Sequence, residues 1–217
     1  MSVRHSLLAI LDQGPCYGYQ LRTEFDRRTG STWPLNVGQI YNTLERLERD
    51  GMVAKGDVDV QGHVYYRITD AGRREVRDWL DAPVTPAPGT RDELTMKLAL
   101  AATLPGVDAA TILQRQHSAS VARLEALTAA AADERETSLD GRSPSPGEAL
   151  ARQLVADSLV FRADAEVRWL EHVVSRLREH SPQAVGLRIN TEKPRRGRPP
   201  RTRAAMAAAS GVAPAAG

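Results

Sequence analysis

The most regular hydrophobic pattern in this chain lies between residues 37 and 49. Ile40, Leu44 and Leu47 follow one another at intervals of four and three residues, so they share one face of a helix. The opposite face then carries the polar and basic side chains, which are Gln39, Asn42, Arg46 and Arg49. The pattern predicts a short amphipathic helix with one buried face and one polar face.

The residues around this helix predict its ends and the elements that follow it. Asn36 is a suitable N-cap, and Gly51 stands where helices commonly stop in a left-handed conformation. Two runs rich in Val, Ile and Tyr come next, at 52–60 and 63–68, and a Gln-Gly pair joins them. Such runs around a glycine-containing turn predict a β-hairpin.

Further helices are predicted on both sides of this unit. Leu and Ile residues at 7–11 mark a first helix, which a Gly-Pro pair ends, and a second helix starts at Gly18. Thr69 caps a later helix. A helix with a polar outer face, followed directly by a hairpin, is the order of a winged helix-turn-helix, in which that face reads base edges in the major groove. The alternative is the solvated face of an ordinary surface helix.

The second half of the chain has the pattern of helices with long apolar stripes. Helices are predicted at about 91–103, 108–136 and 148–180, with a Ser/Pro/Gly linker between the last two. Their apolar surface exceeds what one small domain covers, which predicts burial against a second copy of the chain. The expected dimer contacts are Leu154, Phe161, Trp169, Val173 and Leu177. The alternative is an intramolecular helical hairpin in a monomer.

The expected fold class is mainly α, with three regions. Residues 1–82 form the winged helix-turn-helix, in which helices accompany a β-hairpin wing; residues 90–181 form a helical dimerisation domain; and residues 182–217 form a disordered basic tail. The tail holds seven Lys and Arg residues against one Glu, so residues 1–181 hold 22 basic and 26 acidic residues. Any affinity of the folded body for an anionic partner must therefore come from local placement of charge.

Several segments, in the same order, resemble the PadR family of transcriptional regulators. The matching segments are L-L-A-I-L-D-Q-G-P-C-Y-G-Y-Q-L at 7–21, W-P-L-N-V-G-Q-I-Y-N-T-L-E-R-L-E-R-D-G-M-V at 33–53 and Y-Y-R-I-T-D-A-G at 65–72. Stretches at 91–100 and 165–171 resemble the C-terminal helices of the family. The resemblance implies a homodimeric, mostly repressing DNA-binding protein whose operator affinity a small molecule or another signal can change.

The residues expected to contact double-stranded DNA lie on and beside the 37–49 helix. Two such helices related by a two-fold axis reach major grooves about 34 Å apart, so the operator should be an inverted repeat. The expected contacts are Gln39, Asn42 and Thr43 with bases, Tyr19 and Tyr41 with phosphates, Arg46 with phosphate or guanine, and Asn36 and His63 at the edges of the surface. The alternatives are a packing role for Tyr41, and solvation or pairing with a neighbouring Glu for Arg46.

Two features depart from the family pattern. Asn42 stands where the family usually has Pro, and an Asn amide pairs with adenine through two hydrogen bonds. The alternative is that Asn42 only leaves the helix straighter. The expected wing tip at 57–63 has two Asp residues and only His63 as a cation, which argues against insertion of the wing into a negatively charged groove.

The tail contains a second motif, K-P-R-R-G-R-P-P-R at 193–201, which resembles an AT-hook. Gly197 permits a close backbone approach to a narrow minor groove, where Arg196 and Arg198 meet the negative potential of A·T tracts. We expect this segment to replace the minor-groove contact that the acidic wing gives up. The alternative is a disordered basic tail that attracts DNA of any sequence.

Catalysis and a membrane location find little support in the sequence. The His residues lack metal-ligand spacing, and no Gly-rich loop suits a phosphate, so neither an enzyme nor a metal nor a cofactor is expected. No apolar run is long enough to span a bilayer. The single cysteine, Cys16, fits a reducing compartment, so we expect a cytoplasmic, nucleoid-associated protein. Cys16 itself is expected to be a small semi-buried residue and not a redox switch.

Two further alternatives concern binding. One is a module whose winged helix binds a protein partner in place of DNA. The other, which is compatible with regulation, is a sensor of an unknown small-molecule effector. Aromatic residues that could line its pocket are Tyr17, Trp33, Trp79, Phe161 and Trp169, although aromatics at helical spacing are more often part of a core.

Overall fold

The computed structural model describes residues 2–85, 92–136, 145–180 and 186–191. The N-terminal half contains, in chain order, α1 (Ser2–Leu11), β1 (Cys16–Tyr17), α2 (Gly18–Arg28), α3 (Val37–Arg49), β2 (Val53–Val58), β3 (Val64–Ile68) and α4 (Asp70–Asp81). The C-terminal half contains α5 (Glu93–Thr103), α6 (Ala109–Glu136) and α7 (Pro146–Arg178). The fold is mainly α, with a winged helix-turn-helix followed by long helices, as the sequence predicts.

Helix α3 has the ends and the buried face that its sequence predicts. Asn36 and Gln39 form a reciprocal capping box, in which each side chain accepts a hydrogen bond from the other residue's backbone N–H. Gly51, just beyond the last turn, has a φ of 71°, which glycine adopts at little cost. The apolar residues Ile40 and Leu44 are fully buried together with Leu47. Capping at its ends and burial of one face therefore stabilise the helix.

The sheet contains the predicted hairpin and one additional strand. Its order is β1-β3-β2, and both pairings are antiparallel. In the pairing of β1 with β3, Cys16 lies opposite Tyr66 and Tyr17 lies opposite Tyr65. A strand of two residues has no readable alternation, so the sequence pattern could not predict β1. By joining the start of α2 to the wing, β1 fixes the wing beside the helix-turn-helix.

The C-terminal helices have the predicted order, with ends that differ by about two residues. Asp92, Asp108 and Ser145 each accept a hydrogen bond from a backbone N–H in the first turn of α5, α6 and α7, respectively. Helices α6 and α7 pack against each other, whereas α5 packs against α1, α2 and α6. One continuous hydrophobic core therefore extends from the winged helix into the first part of the helical region.

The thiol of Cys16 is fully buried. Burial, followed by the nearby carboxylate of Glu24, raises the pKa of this thiol from 9.0 to about 12. A neutral, shielded thiol is a poor nucleophile, which agrees with the expectation of a packing role for Cys16. Of the helices in the described part of the chain, none is both long and apolar enough to cross a membrane.

Lys97 of α5 is buried between the winged helix and the helical region. Its ammonium group donates a hydrogen bond to the carbonyl of Ala82 and lies 5.8 Å from the ring centroid of Trp79. The indole N–H of Trp79 donates to a carboxylate oxygen of Glu93 at 3.0 Å, and the His5 ring stacks on the indole at a centroid distance of 5.2 Å. Burial lowers the pKa of Lys97 from 10.5 to about 8.

This lowered pKa predicts a pH dependence of stability. Between pH 8 and 10.5 the unfolded chain keeps the Lys97 proton that the folded chain has lost, so stability should rise with pH across that window. The full effect of the shift is about 3 kcal/mol. Denaturant unfolding of the wild-type chain and of Lys97→Met, measured at several pH values, checks this contribution. Cys16 acts oppositely above pH 9.0 but cancels in the difference between the two proteins. Parallel curves for the two proteins would contradict the expectation.

Candidate nucleic-acid interface

The polar face of α3 forms an exposed surface, as predicted. Asn42 and Arg46 are exposed, and neither side chain has a hydrogen bond or ion pair among the described residues. Glu48, a neighbouring carboxylate that Arg46 could have paired with, forms an ion pair with Lys55 at 2.7 Å. Asn42 therefore presents both an amide donor and a carbonyl acceptor outward, and Arg46 presents an unneutralised guanidinium group.

Three of the predicted contact residues already make hydrogen bonds within α3. The Asn36 side chain accepts from the Gln39 N–H at 2.8 Å, and the Gln39 side chain accepts from the Asn36 N–H at 3.1 Å. The Thr43 hydroxyl donates to the carbonyl of Gln39 at 2.7 Å. These bonds leave the amide NH₂ group of Gln39 and an acceptor lone pair of Thr43 for a ligand. The sequence predicts Asn36 as a cap, and the Gln three residues later is the signal for the second half of the box.

The two tyrosines expected at phosphates lie on one surface because of a glycine. Gly18 has no side chain, and a Cβ added there would lie 2.7 Å from the Cζ of Tyr41. The ring of Tyr41 therefore covers the first residue of α2, and Tyr19 is the next residue. Both tyrosine side chains are exposed. The structure thus brings the start of α2 and the start of α3 together, which sequence spacing alone did not show.

The acidic residues of the wing are used to build the wing itself. Asp59 accepts hydrogen bonds from the N–H groups of Gln61 and His63, at 2.9 and 3.0 Å, and its second oxygen lies 3.1 Å from the His63 ring. Asp57 forms an ion pair with Arg67. The His63 ring also stacks on Tyr17, with centroids 4.5 Å apart. His63 is thus part of the packing of the wing, and the wing offers no unpaired cluster of positive charge.

The five predicted dimer contacts on α7 fall into two groups. Leu154 and Phe161 are exposed, at 60% and 72% of their full surface. Trp169, Val173 and Leu177 are partly buried and pack against the hydrophobic core of the same chain. Further exposed apolar residues near the start of α7 are Leu150, Val155 and Leu159. Among these residues Leu150, Leu154 and Phe161 share one face of the helix, here called the exposed apolar stripe of α7, whereas Val155 and Leu159 line a groove with α6. The second half of α7 completes the core.

Other predicted sites are separated or lie outside the described residues. Tyr17 contacts the wing, Trp79 contacts His5, and Phe161 is exposed, so these aromatic side chains do not gather around one pocket. Arg196, Gly197 and Arg198 of the tail motif lie outside the described residues. Within the described ranges, no group of three or more His, Cys, Asp and Glu residues has the arrangement of a metal site.

The chain matches two family models and several known proteins. Residues 7–78 match the transcriptional regulator PadR-like family, and residues 90–178 match the virulence activator alpha C-terminal family. A probable transcriptional regulator of Mycobacterium tuberculosis is 29% identical over 188 residues, which cover 82% of this chain and 99% of that protein. The negative transcriptional regulator PadR of Bacillus subtilis is 25% identical over 178 residues, which cover 80% and 96%, respectively.

Solved structures of the Bacillus subtilis protein are also similar. The crystal structure of its complex with operator DNA aligns with 82% of this chain and 99% of that chain, at 23% identity and a TM-score of 0.38. The crystal structure of its complex with p-coumaric acid aligns with 82% and 97%, respectively, at 23% identity and a TM-score of 0.35.

The two family models follow the two halves of the fold. The first covers the winged helix-turn-helix from α1 to α4, and the second covers the helices from α5 to α7. Together, the two family models therefore cover most of the chain and most of its helices and strands. The family consists of regulators and not of enzymes, and this chain belongs to the PadR-like family of transcriptional regulators.

Proposed function

We propose that this protein is a homodimeric repressor that binds an inverted-repeat operator through α3. The observation that carries the proposal is the outer face of α3, on which Asn42 and Arg46 are exposed and unpaired among the described residues. Capping and burial of the opposite face stabilise the helix, so the backbone positions from which these side chains project are fixed. Repression is proposed because the Bacillus subtilis relative is a negative transcriptional regulator.

The chemistry of each side chain suggests its role. The amide of Asn42 pairs with the N6 and N7 positions of adenine, and the guanidinium of Arg46 pairs with guanine or with a phosphate. Gln39 contributes its remaining amide donor, and Thr43 its hydroxyl. Tyr19 and Tyr41, at the joined starts of α2 and α3, donate to phosphates and so fix the register of the domain on the duplex.

The proposed dimer uses the exposed apolar stripe of α7. Leu154 and Phe161 are the predicted contacts that the described residues of the chain leave uncovered. Exposed apolar residues that share one face of a helix are typical of an interface between protein chains. The proposal requires a two-fold dimer in which two copies of α3 meet successive major grooves on one face of the DNA.

Replacement of Asn42 by Ala tests the role of α3 in reading the sequence. Specific affinity should fall by about 1–3 kcal/mol, or roughly five- to 150-fold, because the paired hydrogen bonds to one base are lost. Binding to nonspecific DNA should not change, since Asn42 carries no charge. Fluorescence anisotropy, on DNA upstream of the protein's own gene and on a shuffled duplex, measures both affinities.

Two controls make this experiment specific. Asn42 makes no bond within the described chain, so Asn42→Ala should keep the melting temperature of the wild type. Arg46→Ala should weaken binding to both duplexes and lower the salt slope by about one if Arg46 contacts a phosphate. An equal loss on both duplexes for Asn42→Ala would count against base reading. No preference of the wild-type chain for the upstream DNA would direct the search to a distant operator or to a protein partner.

Release of the operator by a small molecule is the remaining part of the proposal. It is supported by the crystal structure of the Bacillus subtilis relative with p-coumaric acid. Addition of this acid to the protein–operator complex, in the same anisotropy measurement, is the corresponding test for this chain.

A further inference from the structure

Residues 186–191, here called the C-terminal strap, return to the N-terminal domain and lie along α2. The N–H of Leu187 donates to the carbonyl of Thr103 at 2.8 Å. Ile189 packs against the hydrophobic core, and its side chain lies 3.5 Å from the position of a Cβ added to Gly14. The strap therefore contacts both the helical region and the winged helix.

The hydrogen bonds between the strap and α2 define the direction of the strap. At one end, the guanidinium of Arg28 donates to the carbonyl of Leu187 at 2.7 Å. At the other end, the amide of Gln20 donates to the carbonyl of Asn190 at 2.9 Å. As the strap proceeds from Leu187 to Asn190, its partners move from the last residue of α2 towards the first turn. The strap is antiparallel to α2 and ends beside the start of that helix.

A buried carboxylate holds the strap in this position. The side chain of Glu24 is fully buried, and its Oε2 accepts hydrogen bonds from Arg28 and, at 2.9 Å, from Arg27. The backbone N–H of Asn190 donates to the other oxygen at 2.9 Å. A buried carboxylate is costly unless its oxygens are hydrogen-bonded, so loss of the strap would leave Oε1 poorly satisfied. This cost favours the docked strap.

The docked strap ends next to the proposed DNA surface. Gln20, which binds Asn190, follows Tyr19 and lies two residues after Gly18, the residue covered by Tyr41. The sequence that comes next is rich in cations, beginning with Lys193 and Arg195. At about 3.6 Å per residue, Arg198 can be no more than about 25 Å from the end of the strap, which is less than one turn of DNA.

We propose that the C-terminal strap is a positioning element that delivers the basic segment 193–203 to the DNA beside the start of α2. This inference rests on the proposed DNA-binding function. Each subunit then holds its half-site at two places, α3 in the major groove and the R-G-R segment in an A·T-rich minor groove that flanks the half-site. Because the strap shortens the effective tether, the second contact is made at a high local concentration.

The experiment must detect where the basic segment meets the DNA, and not only that its charge increases affinity. Glu192→Cys places a thiol directly after the strap, and an iron chelate attached there cleaves nearby DNA. The label is selective because the only native cysteine, Cys16, is buried and has a pKa raised to about 12. Cleavage of the upstream duplex is then mapped for the docked chain and for an undocked chain that also carries Ile189→Ser and Asn190→Pro. These changes remove the apolar contact and the N–H donor to Glu24.

The docked chain should cleave a few nucleotides at one fixed position in each half-site. The undocked chain should spread the cleavage along the duplex and bind the operator about threefold to tenfold more weakly, because the local concentration of the tail falls. A second variant keeps the strap but has a flexible Gly-Ser insertion after Thr191, and it should spread the cleavage in the same way. Circular dichroism and thermal melting verify that both variants remain folded.

Three results would be decisive. Focused cleavage by the docked chain alone supports the positioning role. Identical cleavage patterns and affinities for docked and undocked chains overturn it, and the tail is then only a nonspecific source of charge. Equal binding of full-length and 1–191 chains to the operator and to a shuffled duplex is the distinct failure of the proposed function, and it overturns the inference as well.

Discussion

Replacement of Arg28 by Ala should lower the free energy of unfolding by about 3–5 kcal/mol, the largest effect that we expect from a single substitution in this protein. The side chains of Arg28 and Glu24 are both fully buried and form an ion pair. Loss of the guanidinium leaves the Glu24 carboxylate buried without its principal counter-ion. It also removes the hydrogen bond to the carbonyl of Leu187, so the strap loses one of its anchors. Denaturant unfolding followed by circular dichroism measures the loss.

A neighbouring arginine provides a matched control. Arg22 lies on the same helix, its side chain is 36% exposed, and it faces Asp26 at 3.8 Å. Because this pair is only partly buried and its closest charged atoms are 3.8 Å apart, Arg22→Ala should cost no more than about 1 kcal/mol. The double variant Glu24→Gln/Arg28→Met should recover part of the stability that Arg28→Ala loses, since no charge is then left buried. A loss of the same size for Arg22→Ala and Arg28→Ala would show that burial of the pair is not the cause.

Replacement of Gly72 by Ala should destabilise the protein by about 1–3 kcal/mol through a steric clash. Gly72 lies in the first turn of α4, where a Cβ would be 2.3 Å from the carbonyl oxygen of Met52 and 2.7 Å from Cγ1 of Ile68. The Met52 carbonyl is backbone and also accepts a hydrogen bond from the N–H of Thr69, so it cannot move away cheaply. The expected loss of thermal stability is several degrees, from roughly 2–4 °C per kcal/mol in a chain of this size.

A glycine without close neighbours provides the control for this substitution. Gly147 lies in the first turn of α7, and a Cβ added there meets nothing within 4 Å. Gly147→Ala should therefore be neutral or should stabilise the protein by up to about 1 kcal/mol, because Ala loses less backbone entropy in a helix. Thermal melting of both variants side by side separates the clash from the general effect of the substitution. Equal melting temperatures would contradict the close approach of α4 to the start of β2.

Much of the fold is accessible from the sequence because its signals are local. The spacing of Ile40, Leu44 and Leu47 repeats within one helix, and the cap at Asn36 and the stop at Gly51 are read within a few residues of its ends. The hairpin has its turn signal in the same short segment. For the same reason the polar face of α3, and with it most of the candidate DNA surface, follows from the spacing of residues along the chain.

Sequence patterns did not predict the features that depend on distant contacts. Glu24 and Arg28, four residues apart on a helix, have the spacing of an ordinary surface ion pair, yet both are buried. Lys97 is the one basic residue of α5, and the structure buries its side chain in the core. The apolar residues of α7 share one spacing, but the core covers Trp169 and leaves Phe161 exposed. The burial of a residue depends on which distant part of the chain packs against it. The periodicity of hydrophobic residues within one helix does not contain this information.

Local sequence specifies the helices, the hairpin and the outward side chains of α3, because hydrogen bonds and side-chain periods within an element involve neighbours in the chain. Only the packing of distant segments places Tyr41 over Gly18 and lays the C-terminal strap along α2. The bond between Gln20 and Asn190 joins residues 170 positions apart. Such contacts form only when distant segments pack together and supply hydrogen bonds to the buried carboxylate of Glu24. No local sequence pattern could therefore predict them.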